Sequence, residues 1–292
     1  MSDLGGRPVP VSVVVLTFNE ERNLAACLES VSGWTQAIFV VDSGSTDGTR
    51  GIAERFGAQV VTHAFDNHSA QWAWALEALP LRTSWLLGLD ADQRVTPELR
   101  DQIIRRIGGD EGTPAHGFYV GRRQVFRGRW IRYGGYYPKY LLKLFRREHV
   151  RLDAAELVDH HFQVSGPVEM LHGDLIEDNR NEYAIATWTA KHNRYAVLQA
   201  DHELALRARN GSVPFRMAFG SPDERTRWLK SIWARLPLFV RPCVYVTYRY
   251  VLRRGFLDGK QGFIFHVLQG FWYRLLVDIN IDERRSSRRA AD

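Results

Sequence analysis

Two cysteines in 292 residues, Cys27 and Cys243, are too few and too far apart to build a disulfide framework or a zinc site, which fits a reducing cytosol. No Gly-x-Gly-x-x-Gly follows the first apolar segment and no Gly-x-x-x-x-Gly-Lys-Ser/Thr occurs anywhere, so the dinucleotide and P-loop ways of cradling phosphate are disfavoured. Arginine interrupts every C-terminal apolar run before it reaches the roughly 20 residues that spanning a bilayer requires. The opening residues, Met1 to Pro8, lack the apolar core of a signal peptide. Zinc-finger spacing, an RNP sequence and a basic-region heptad are missing too, which argues against nucleic acid as a partner.

What is there begins with alternation. Val11–Thr17 is a β-branched strand, followed by a helical pattern from Glu21 to Ser32 with Leu24, Cys27, Leu28 and Val31 on one face. Ala37–Asp42 repeats the strand, and Ser43–Thr49 turns into a helix carrying Ile52, Ala53 and Phe56, with Ser45 or Thr46 as its expected N-cap. Ala58–His63 is a third strand, and an amphipathic stretch through Trp72 and Leu76 leads to a fourth, Trp85–Asp90. Strands alternating with helices imply βαβ units: an α/β fold with a mostly parallel sheet flanked by helices.

The fourth strand ends in Asp90-Ala91-Asp92. Ligands of open α/β sheets bind beyond the carboxyl ends of the strands. Hard oxygen ligands there suit a divalent cation that bridges substrate phosphates, Mg²⁺ or Mn²⁺. The alternative is a solvated acidic turn before the helix opened by Thr96 as N-cap and Pro97 at its first position. The upstream strands favour the first reading. Thr17/Asn19/Glu20, Asp42/Ser43 and Asp90/Asp92 all close strands, and right-handed crossovers bring them to one sheet edge. Carboxylates there can accept from a base edge or ribose while a cation at Asp92 holds a diphosphate, so a nucleotide bound edgewise fits.

Val-Val-Val-Leu-Thr-Phe-Asn-Glu-Glu, Val-Asp-Ser-Gly-Ser-Thr-Asp-Gly-Thr and Leu-Asp-Ala-Asp, in that order within residues 10–100, resemble the family 2 glycosyltransferases with the GT-A fold, of the bacterial cell-surface polysaccharide and lipopolysaccharide type. The resemblance implies a single in-line displacement at the anomeric carbon, with inversion. It implies that Asp42 binds the base, that Thr17, Asn19, Glu20 and Ser43 frame the nucleotide, and that Asp90 and Asp92 contact ribose and metal. Where relatives often carry a basic residue and Asn in the third helix, this chain has Gln71-Trp72-Ala73, which leaves Gln71 as the donor contact there. An inverting transfer needs a base for the acceptor hydroxyl. Relatives place a carboxylate in a Val-His-Glu-like segment; the matching residues here are Val158-Asp159-His160, so Asp159 is the first choice, then Glu156, then His160. His172 is a candidate for one more metal or diphosphate contact.

Further along, Phe126, Trp130, Tyr133, Tyr136 and Tyr137 form an aromatic connection that can stack on a sugar, with Tyr137 taken as an acceptor-side residue. Trp188–Tyr195 resembles a segment of members acting on lipopolysaccharide precursors, and Lys191 and Arg194, three apart, share a helix face that can meet phosphate.

Charge divides the chain. Residues 225–292 carry 14 Lys/Arg against 5 Asp/Glu, a balance of +9, while the remainder has 25 against 28. Trp, Tyr and Phe interleave with those arginines, which suits a headgroup interface where aromatic rings sit half-wet and Arg meets anionic lipid. An ordinary helical subdomain with solvated arginines is the competing reading. The expected organisation is therefore a catalytic domain over 1–224, with a donor half about 10–100 and an acceptor half about 101–224, and a helical membrane-associating region over 225–292. The expected activity is sugar transfer from a nucleotide sugar to a lipid-linked saccharide acceptor, at the cytoplasmic face of the inner membrane. A nucleotidyltransferase is disfavoured because no Gly-rich basic loop follows the first strand. An inactive scaffold of the same fold is disfavoured by the intact Asp90 and Asp92.

Overall fold

The computed structural model describes residues 8–108, 113–152, 162–208, 215–220 and 222–291. The chain divides into two compact units, Met1–Trp130 with Tyr137–Tyr183, and Ile131–Tyr136 with Ala184–Asp292.

The first unit runs β1 (Val9–Thr17), α1 (Leu24–Val31), β2 (Thr35–Asp42), α2 (Thr49–Arg55), β3 (Gln59–Thr62), α3 (His68–Ala78), β4 (Trp85–Asp90), β5 (Gln93–Val95), α4 (Pro97–Ile107), β6 (Gly117–Phe126), β7 (Arg129–Trp130), β8 (Tyr140–Arg146), β9 (Val150–Leu152), β10 (Phe162–Val164) and β11 (Val168–Glu177). The sheet order is β3-β2-β1-β4-β8-β6-β11-β5, with β7 beside β6 and β9–β10 as a separate pair. The strands from β3 to β4 are parallel throughout; β8 is antiparallel to both neighbours, and β5 is antiparallel to β11. The expected α/β architecture is present, with its antiparallel strands in the later half.

Central β1 is apolar on both faces because both are covered. Val11, Val13 and Val15 join one core with α1 and α4, and Val14 joins another with α3. Leu24, Cys27, Leu28 and Val31 of α1 are fully buried at helical spacing; each such aliphatic side chain contributes roughly 1.5–3 kcal/mol. Helix α1 starts at Leu24 rather than Glu21, because residues 19–23 form a turn tied to the site. Thr96 caps α4 through the Leu99 amide, with Pro97 in its first turn. Helix α2 departs from expectation: Gly48 stands at its N-cap without a side-chain cap. Ser45 and Thr46 instead serve Asp42 and Asn19.

The second unit is helical: α5 (Ile185–Ala208), α6 (Pro222–Arg235), α7 (Val240–Thr247), α8 (Gly259–Phe265) and α9 (Tyr273–Ala291). Ala196 and Ala200 of α5 pack on Tyr273, Val277 and Ile281 of α9. That packing puts α5 with the C-terminal helices, and the compact division falls at residue 184. Arg241, fully buried, reaches Asp278 at 2.6 Å and Glu203 at 2.9 Å. Among the described residues no helix is long and apolar enough to cross a membrane.

Candidate active site

Register brings three strand ends together. In the parallel ladders Thr17 lies opposite Asp42, and Leu16 opposite Asp90, so β2, β1 and β4 finish side by side. Adjacent strands are about 4.8 Å apart, which sets Asp42 and Asp90 roughly 10 Å from each other across β1.

Asp42 is fully buried and every acceptor position is used. Its Oδ1 accepts from the Thr17 hydroxyl at 3.2 Å and from the Ser45 hydroxyl; its Oδ2 accepts from the amides of Gly44 and Ser45 at 3.3 and 3.0 Å. Buried carboxylates require such donors, and these four shape the turn that follows β2. Asn19 adopts a left-handed conformation at φ 56°, which Asn tolerates better than most residues. Its amide donates to Ser45 Oγ at 2.8 Å, and its Oδ1 accepts from the Thr46 amide at 2.9 Å. Glu20 donates its amide to Thr49 Oγ1 at 2.7 Å and accepts from Asn23 at 2.7 Å. The turns after β1 and β2 are thereby locked to each other. Gln71, buried in α3, donates to Ser43 Oγ at 3.2 Å and meets His63 Nδ1 at 2.8 Å.

Asp90 closes β4 with its side chain about one-third exposed, and Lys143 Nζ donates to its Oδ2 at 2.9 Å. Beneath them Cys27 Sγ lies 3.8 Å from the Asp90 carbonyl oxygen. Burial first, then the charges of Asp92 and Asp90, push that thiol far above its ordinary value, so it is an inert core group. The Asp90 amide donates to Gln93 Oε1 at 3.2 Å, and Gln93 passes the link to Glu177 at 3.0 Å. The Asp92 carbonyl accepts from the Asp178 amide at 3.0 Å, joining the end of β11 to the aspartate turn. Asp178 itself receives Arg94 at 2.8 Å and the Tyr183 hydroxyl at 2.9 Å. Asn181 donates to the Asn19 carbonyl at 3.1 Å and to Glu20 at 3.2 Å.

Thr17, Asn19, Glu20, Asp42, Ser43, Gln71, Asp90 and Asp92 therefore share one region of the first unit. His172 does not join them. It is exposed at a bulge of β11, five residues before Glu177, on the order of 15 Å back along the strand. Tyr137 sits in the same unit with its hydroxyl 3.3 Å from both Asp174 oxygens; burial and then the Asp174 charge raise its pKa, so it stays a donor. Lys191 and Arg194 belong to α5 in the second unit, where Lys191 stands 5.4 Å from the Tyr195 ring centroid. Glu156, Asp159 and His160 lie outside the described residues. Phe162, next described in sequence, packs on Phe145 and Trp72, and its ring would lie 3.0 Å from a Cβ added at Gly88, two residues before Asp90.

Sequence reading missed Lys143, Glu177, Asp178 and Asn181. A lone lysine inside the apolar run Tyr140–Phe145 was a usable signal for the first; the others are ordinary loop residues until β11 is seen to end beside Asp92. Among the described residues no three His, Cys, Asp or Glu side chains are arranged to hold a metal by themselves. The Asp92 carboxylate fits a cation that takes its remaining ligands from phosphate and water, as Mg²⁺ does.

A sequence profile of glycosyl transferase family 2 matches residues 12–164. An uncharacterized glycosyltransferase of Rickettsia conorii is 39% identical over 93 residues, 32% of this chain and 32% of that protein, so the match spans about a third of its length. The lipopolysaccharide core biosynthesis glycosyltransferase LpsC of Rhizobium meliloti is 27% identical over 295 residues, covering 95% of this chain and 94% of its own. Among solved structures, a mannosyltransferase of Pyrobaculum calidifontis in complex with GDP-Man and Mn²⁺ superposes with a TM-score of 0.52 at 15% identity, over 94% of this chain and 87% of that one. At that identity the likeness is one of fold.

Proposed function

The chain belongs to glycosyl transferase family 2, and from that membership we propose that it moves a sugar from a nucleoside-diphosphate donor to a lipid-linked saccharide acceptor in envelope polysaccharide or lipopolysaccharide assembly. The observation that carries this reading is the convergence of Thr17, Asp42 and Asp90 at adjacent strand ends, with Asp92 just beyond. In the proposed arrangement Asp42, with the Ser43–Ser45 turn it shapes, and Asn19 frame the base, and Asp90 meets the ribose. Asp92 would hold Mg²⁺ or Mn²⁺. A bound cation there would neutralise charge on the leaving group. The acceptor oxygen bonds to the anomeric carbon as the bond from that carbon to the phosphate oxygen breaks. Its proton passes to a carboxylate, for which Asp159 is the candidate.

LpsC is named for lipopolysaccharide core biosynthesis, which supports the envelope pathway. The second unit supports a lipid-bound acceptor. Phe239, Val240, Val244, Tyr248, Val251, Leu252, Phe256, Leu257 and Phe263 are each 45–70% exposed. Between Leu236 and Val277, Arg253, Arg254 and Lys260 are exposed, while the one acid, Asp258, is buried against the Arg132 and Tyr133 amides. An apolar surface with only basic charge beside it suits an anionic bilayer. In this reading the protein works at the cytoplasmic face of the inner membrane.

The direct test is a panel of nucleotide sugars incubated with the protein, Mn²⁺ and lipid-linked saccharide extracts. Metal-dependent release of nucleoside diphosphate with labelled lipid product is expected. No release and no thermal stabilisation by any nucleotide sugar would overturn the reading.

A further inference from the structure

Lys143 occupies a position that strand pairing alone does not explain. Across β6 and β8, Phe118 pairs with Leu144 and Tyr119 with Leu142, so Lys143 is the extra residue of a β-bulge. Bulges break the two-residue alternation of a strand and re-aim a side chain. Here the side chain, 6% exposed, ends 2.9 Å from Asp90 Oδ2. Burying an ammonium is costly unless it is paired, and Asp90 is its ion-pair partner. Glu20 follows β1, and Asp90 and Asp92 close the neighbouring β4, so three carboxylates gather at adjacent strand ends with Lys143 on one of them.

Resting on the metal-dependent donor site proposed above, we infer that Lys143 is a positioning residue, the built-in counter-ion of Asp90. It occupies a carboxylate oxygen that a cation would otherwise take. Asp90 is thereby kept for the sugar nucleotide, and the metal is left to Asp92 and the diphosphate. The same charge lowers the attraction of the nucleotide-free site for a bare cation, so metal arrives with the donor rather than before it.

The test is Mn²⁺ binding to the nucleotide-free full-length protein by calorimetry. Lys143→Met should tighten Mn²⁺ binding at least tenfold, and Lys143→Arg should leave it near wild type. Asp90→Asn, which strands the ammonium beside the site, should weaken binding. The double variant, which removes both charges, should return to near the wild-type value. If Asp90 is instead a direct metal ligand, the double variant stays much weaker than wild type and the inference falls. Unchanged affinity in Lys143→Met beside a wild-type protein that binds Mn²⁺ also overturns the counter-ion and leaves the proposed function standing. A wild-type protein that binds no Mn²⁺, with or without UDP or GDP, removes both.

Discussion

Each unit buries a cation, and the two pairs differ in one respect. Arg241 of the helical unit is sealed: it and Asp278 are inaccessible, and Glu203 is nearly so. Lys143 of the sheet unit is as hidden, but Asp90 keeps one-third of its side chain in solvent. A sealed pair can only hold helices in place, and opening it by removing one partner typically costs 3–5 kcal/mol. A pair with one open member can also meet a ligand. The surfaces differ in the opposite sense. The sheet unit gathers polar groups at its strand ends, whereas the helical unit turns Val240, Val244, Tyr248 and Val251 outward at helical spacing. The first pattern suits a polar small molecule and the second an apolar phase.

The comparison breaks most sharply at Asp92. Asp92→Ala should abolish transfer, and excess chelator should do the same, because the leaving diphosphate then lacks charge neutralisation. Full turnover in chelator, measured as nucleoside diphosphate release, would remove the metal from the scheme. Next is Asp159→Asn, which keeps shape but cannot take a proton. Turnover should fall roughly 10²–10⁴-fold with donor affinity little changed, and near-normal turnover would shift the role to Glu156 or His160.

The helical unit supplies the smaller effects. Val251→Asp with Leu252→Asp should cut binding to phosphatidylglycerol liposomes by about tenfold or more, since charge replaces apolar surface at the interface. Transfer to a soluble acceptor analogue should persist. Salt should extract the wild-type protein only in part, because screening removes the basic contribution and leaves apolar burial. Wild-type protein that stays in the supernatant at low salt would refute the surface.

The smallest effect concerns His266. Burial, then the Arg249 charge, lowers its pKa to about 4, and among the described residues neither ring nitrogen has a hydrogen-bond partner. Arg249, Tyr136 and Tyr250 are the polar neighbours around it. With the folded value below the unfolded one of about 6.5, its contribution is intact above that value and declines as pH falls toward 4. Wild-type protein should lose a few degrees of melting temperature between pH 7 and pH 5, and His266→Leu should flatten that dependence. Identical slopes for the two proteins would contradict the assignment.

Short-range pattern made much of the first unit readable. Strand periodicity, α1's spacing and the Thr96-Pro97 start depend on residues a few positions apart, and each stands where expected. The shared edge of Thr17, Asp42 and Asp90 followed from the handedness of βαβ crossovers, which chirality imposes on any such chain. Ser45 misled for the same local reason: it resembles a helix cap, but Asp42 and Asn19 claim it across the sheet edge.

Only the tertiary structure decided what rests on distant pairing. A lysine in an apolar strand has no partner until a bulge in β8 turns it toward β4. Asp178 is a loop acid until β11 ends beside Asp92, and His172 is a plausible ligand until the same strand carries it away. The unit boundary at 184 belongs with these: charge composition reports what faces solvent, whereas α5's place depends on Ala196 and Ala200 fitting against Val277 and Ile281. Local sequence sets backbone geometry, handedness and the chemistry on offer at each strand end. Which side chains meet depends on register and packing between segments as far as 162 residues apart, as in the Asn19–Asn181 contact, and one sequence carries no local mark of such pairs.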